Sequence, residues 1–215
     1  MGELLQQPDG TQERVVVLGI GNVLWADEGF GVRCVEALER EWQFAPHVDL
    51  VDGGTQGLYL IQRVQSASKL LIFDAVDYVL LTGTLKLVTN EDVPRFMGAK
   101  KMSLHQTGFQ EVLALAQLTG HYPQQVLLIG CQPEVLEDFG GSLRPSVKLA
   151  MAQALRLGLE QLQNWGAQPQ RRAQADAVAS TLAGAMLAMD CYELGRPSPE
   201  MACRIGDERF MPKVA

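Results

Sequence analysis

A chain of 215 residues, 47% of them apolar, is long enough to bury one sizeable core. Its net charge of −7, with basic residues that form no stripe, argues against nucleic acid as the main partner. The four cysteines (Cys34, Cys131, Cys191, Cys203) include no Cys-x-x-Cys pair, which argues against a structural zinc site, and no apolar run approaches the ~20 residues of a membrane span.

Residues 1–13 read as a polar, flexible leader without the apolar core of a signal peptide, which points to the cytoplasm. Arg14 to Leu18 is a β-branched, buried strand. From Glu28 to about Trp42, Val32, Val35, Leu38 and Trp42 recur at helical spacing, with Asp27 as N-cap. Val48 to Val51 is the second strand, broken by Gly53-Gly54, and Gln56 to Val64 a short helix. Lys69 to Phe73 is the third strand, and Gly83 to Val88 a fourth whose preceding turn suits an antiparallel edge.

Thr107 and Gln110 fit a capping box, with Thr107 as N-cap of a helix that runs to about Thr119 and stops at Gly120. Val126 to Ile129 is the fifth strand, and Pro145 opens a long helix that ends near Gly166. Beyond it, Ala173 to Met189 is alanine-rich and helical in character, and Arg196-Pro197-Ser198-Pro199 is extended. These elements describe a three-layer α/β domain over residues 14–166. Its twisted, mostly parallel five-stranded sheet has one antiparallel edge strand and helices on both faces. An extension, partly helical or extended, covers 167–215.

Open α/β sheets bind ligands at the carboxyl ends of their strands. Glu28, Asp52, Asp74 and His105 each stand just after a strand-like run or a glycine-rich turn. The opening Gly19-Ile20-Gly21 invites a dinucleotide-binding reading with Asp52 as ribose anchor, but Leu24 stands where the third glycine belongs, and no phosphate loop is present. A tight strand-to-helix turn explains both glycines more simply. Taken singly, Asp74 reads as a turn former, His47 and His121 as loop residues, and Cys34 as a small buried hydrophobe. Three histidines and no evident Ser-His-Asp or Cys-His arrangement make a serine or cysteine protease a poor match.

The run from Gly19 to Gly31, Gly-Ile-Gly-Asn-Val-Leu-Trp-Ala-Asp-Glu-Gly-Phe-Gly, closely resembles that of the NiFe-hydrogenase maturation proteases. So do Asp52-Gly53-Gly54-Thr55, Ile72-Phe73-Asp74-Ala75 and Ser103-Leu104-His105-Gln106, in the same order, so that the resemblance covers roughly residues 14–165. It implies an endopeptidase that clips a carboxy-terminal peptide from the hydrogenase large-subunit precursor after nickel insertion. It implies a five-stranded mixed sheet between helices, and metal contact through Glu28, Asp74 and His105. Asp52 falls on a further acid of the same cleft. The nickel is then supplied by the substrate, and zinc would fit the same donors in vitro, since borderline divalent ions accept imidazole and carboxylate together. Bond cleavage has two routes: metal-assisted hydrolysis, or a carboxylate base, with Asp52 and Asp74 dividing acid and base roles. The rival readings are a nucleotide- or dinucleotide-binding enzyme and a non-catalytic scaffold for metalloprotein assembly.

Overall fold

Continuous valine, leucine and isoleucine runs form the centre of the molecule. In the computed structural model, which describes residues 13–97, 104–173, 184 and 187–196, the side chains of residues 96, 97 and 104–107 are not described. The strands β1 (Val15–Ile20), β4 (Lys69–Ala75) and β6 (Gln125–Cys131) are buried almost throughout, as parallel strands covered on both faces must be. Among the described residues, five strands form the main sheet in the order β3-β1-β4-β6-β5. The edge strand β3 (Val48–Gly54) is parallel to β1, whereas β5 (Leu85–Thr89) closes the other edge antiparallel to β6.

Side-chain alternation splits the core in two. Val15, Val17, Leu71 and Phe73 face α1 (Phe30–Glu41) and α5 (Pro145–Asn164). Val16, Leu18, Leu70 and Ile72 face α2 (Ile61–Ser66) and α4 (Leu104–Leu118), with Val93 of α3 (Asp92–Met97) beside them. The three-layer α/β architecture expected from the sequence is therefore the one observed, including the antiparallel edge.

Several local expectations need correction. A four-residue 3-10 turn, Ala26–Gly29, precedes α1, so Asp27 caps nothing. Thr107 lies inside α4 and is no N-cap; packing of Phe109, Val112, Leu113 and Ala116 on the sheet sets the helix's extent, not the local cap pattern. Strand β3 does not break at Gly53-Gly54, because its pairing with β1 continues to Ile20 and Gly54 through one irregularity after Gly19. A short antiparallel pair, β2 (Trp42–Gln43) with β7 (Gln170–Arg171), and α6 (Met189–Gly195) were not anticipated. The leader, most of the stretch expected to be helical after Ala173, and the chain beyond Arg196 lie outside the described residues.

Candidate functional site

The carboxyl edge of the sheet holds two of the candidate residues, Asp52 and Asp74, by register. Gly19 of β1 stands between Asp52 of β3 and Phe73 of β4, and Asp74 follows one step on, opposite Gly130 of β6. At about 4.8 Å per strand, the backbones of Asp52 and Asp74 are about 10 Å apart with the end of β1 between them.

Glycines allow the turn that carries Glu28 to sit on this edge. A Cβ on Gly31 would lie 2.1 Å from the Phe73 carbonyl oxygen and 2.3 Å from that of Ile20. The first turn of α1 therefore rests directly on the backbones of β1 and β4. Gly21 has φ +129°, and a Cβ there would lie 1.8 Å from the Glu28 carbonyl oxygen, so the chain folds back over itself at a point where only glycine fits. The Gly-x-Gly opening is a packing device here.

The same turn is tied down by Asp27, which is fully buried. Its Oδ2 accepts the backbone N–H groups of Glu134 and Val135, each at 2.9 Å, and its Oδ1 accepts that of Arg144 at 2.7 Å. Its own N–H donates to the Val135 carbonyl oxygen at 3.1 Å. A carboxylate taking three N–H bonds is a strong, charge-assisted clamp. Beside it, Trp25 and Phe139 meet edge to face, with ring centroids 5.3 Å apart. Sequence reasoning assigned Asp27 to a helix cap because its partners lie more than a hundred residues away and leave no local signal.

Glu28 is half-buried, and burial pushes its carboxyl above the usual carboxylate range. Asp74 is fully buried and, by alternation along β4, lies on the face of Ile72 and α4. His105 belongs to the first turn of α4 on that same face, but its side chain lies outside the described residues. That end of α4 is fixed beside the turn following β3, since a Cβ on Gly108 would come within 3.3 Å of the Gly57 Cα. Among the described residues no three His, Cys, Asp or Glu side chains are grouped to hold a metal ion.

Asp52 reaches the edge from the other side. It follows Leu50 by two, on the face of α1, and interacts electrostatically with Arg33 and Glu36. Burial raises its carboxyl, and the hydrogen bond from the Gly54 N–H and the Arg33 guanidinium partly offset that rise. Direct proton sharing between Asp52 and Asp74 does not fit residues on opposite faces. Arg33 and Glu36, both buried and paired at 2.9 Å, escaped sequence reading because they sit inside an ordinary amphipathic pattern. Cys131, fully buried at the end of β6, has its thiol pushed up to about 12 by burial and is chemically quiet.

The sequence profile of a family described as hydrogenase maturation protease matches residues 32–161. The hydrogenase expression/formation protein HoxM of Cupriavidus necator is 65% identical over 93% of this chain and 98% of its own length. The hydrogenase 2 maturation protease of Escherichia coli is 38% identical over 71% of this chain and 93% of its own. The solved structure of the hydrogenase maturating endopeptidase HybD from Escherichia coli superposes with a TM-score of 0.70 at 36% identity, covering 74% of this chain and 98% of that one.

Proposed function

Because the chain belongs to the hydrogenase maturation proteases, we propose that it removes a carboxy-terminal peptide from the nickel-loaded large subunit of a NiFe hydrogenase. The observation that best supports this reading is Asp74 at the carboxyl end of β4, beside the Glu28 turn; α4, which bears His105, packs on the same face of the sheet. Two carboxylates and an imidazole suit a borderline divalent ion and leave coordination positions open. Nickel already held by the precursor fills those positions, so the ion arrives as part of the substrate. Zinc would occupy the same donors in vitro. A precursor without nickel lacks this anchor and docks weakly. We place the reaction in the cytoplasm; no described helix is long and apolar enough to cross a membrane.

Asp52 is the general base in this scheme. Its raised carboxyl takes a proton more readily near neutrality than an exposed aspartate does. The scissile bond lies over the carboxyl end of β1, with nickel on the Asp74 side and the attacking water on the Asp52 side. Peptide release from nickel-loaded and nickel-free precursor, by the wild type and by His105→Ala, tests the reading. Cleavage of the loaded precursor alone, lost in His105→Ala, is expected. Equal cleavage of the nickel-free form would remove nickel as the recognition element, and a stable complex without shortening would mark a scaffold.

A further inference from the structure

The strand β3 is an edge, hydrogen-bonded to β1 on one side only among the described residues. From Val48 to Asp52 every residue is partly exposed. The His47 carbonyl accepts from Val15 of β1, whereas the Val48 N–H donates to Ala45 and the Asp52 carbonyl accepts the Gln56 side-chain amide. Alternation therefore turns the peptide groups of Val48, Leu50 and Asp52 away from β1, with Leu50 at the centre of the open side. Alongside runs a groove of about 620 Å³, walled by this strand and by Gln56, Tyr59 and Arg63. Tyr59 is 88% exposed, an aromatic plate with little covering it. Asp49 lies at the far end, where its one carboxylate faces two guanidiniums: Arg14 at 2.6 Å and Arg63 at 4.0 Å. That end carries a surplus positive charge.

We propose that this groove holds the peptide to be removed, as an extended strand added antiparallel to β3. The proposal rests on the function inferred above. A scissile bond over the end of β1 leaves its released segment beside Asp52, and the open edge leads back from there to Asp49, three residues or about 10 Å away. Main-chain bonds to Leu50 supply affinity independent of sequence, as in other strand-addition complexes. Side chains of the tail lie on Tyr59, and a carboxylate of the tail meets Arg63.

Two variants and one probe decide the matter with the full-length protein and nickel-loaded precursor. Leu50→Pro deletes the outward N–H without touching the ladder to β1, a substitution that edge strands tolerate. Arg63→Glu, at an exposed position, reverses the charge and guards against a folding defect in the first. The KM for precursor should rise on the order of tenfold in Arg63→Glu and several-fold in Leu50→Pro, and hydrogen exchange at the Leu50 amide should slow when precursor binds. A synthetic tail peptide should compete, and its amidated form should compete less well if the terminal carboxylate is the partner of Arg63; equal competition assigns that role to an acidic side chain. Cleavage by the wild type with unchanged KM in both variants and no protection of Leu50 overturns the groove and leaves the peptidase reading standing. No cleavage by the wild type takes both away. A wild-type dimer dissolved by either variant, with precursor handling unaffected, would show that the edge pairs with a second copy instead.

Discussion

Two carboxylates at the sheet edge, Glu28 and Asp52, titrate above the ordinary range because burial disfavours their charge. A base must be deprotonated to act, so the acid limb of the kcat/KM profile for precursor cleavage should lie at higher pH than a free carboxylate gives. Asp52→Asn should lower kcat by roughly two to four orders of magnitude at every pH, the span typical of a lost general base. Near-normal turnover in that variant would take Asp52 out of the chemistry. The same shifts bear on stability with a fixed sign: a folded carboxyl raised above its unfolded value helps below the unfolded value and loses that help as pH rises through the folded one. At this scale the sequence was informative wherever the chemistry was contiguous. Glu28, Asp52, Asp74 and His105 each sit in a short motif that also names its neighbours. Asp27 was illegible because its partners lie far along the chain, and Arg33 and Glu36 because an i,i+3 pair on an amphipathic helix gives no sign of the burial that the distant Leu187 contact brings.

Among the elements, the buried parallel strands declared themselves through uninterrupted β-branched runs, and their helices through apolar spacing. Their limits did not. The extents of α4 and β3 follow from packing on the sheet and from pairing with β1, and both override the local signals of Thr107 and Gly53-Gly54. The pair β2 and β7 amounts to two residues a side, too short for any periodicity to register. The contact between α1 and the sheet is the most exacting junction. Substituting Gly31→Ala sets a methyl 2.1 Å from one backbone oxygen and 2.3 Å from another, and neither can swing away as a side chain would. A loss of roughly 3 kcal/mol or more is expected. Chemical denaturation checks it, and an unchanged midpoint would show that α1 shifts freely on β1.

Over the whole molecule, the last described residues are fastened to the domain. Arg33 donates to the Leu187 carbonyl oxygen at 2.5 Å and lies 5.7 Å from the centre of the Tyr192 ring. Glu193 of α6 bonds Ser142 and pairs with Lys148, and Arg196 pairs with Asp138 at 3.3 Å. The expected tail is, over 187–196, a brace across α1 and the segment leading into α5. Deleting everything from Leu187 onward uncovers the Arg33–Glu36 pair and should cost roughly 1–3 kcal/mol, read as a lowered melting temperature. Full stability in the shortened chain would reduce the brace to surface decoration.

The Asp27 clamp also sets a timetable. Its carboxylate waits for Glu134, Val135 and Arg144, which lie 107, 108 and 117 residues downstream. A nascent chain emerging from the ribosome has made its first strand and the Glu28 turn long before those amides exist. Until translation passes Arg144 the turn lacks this clamp, so an incomplete chain carries the Glu28 turn held only by its own local contacts.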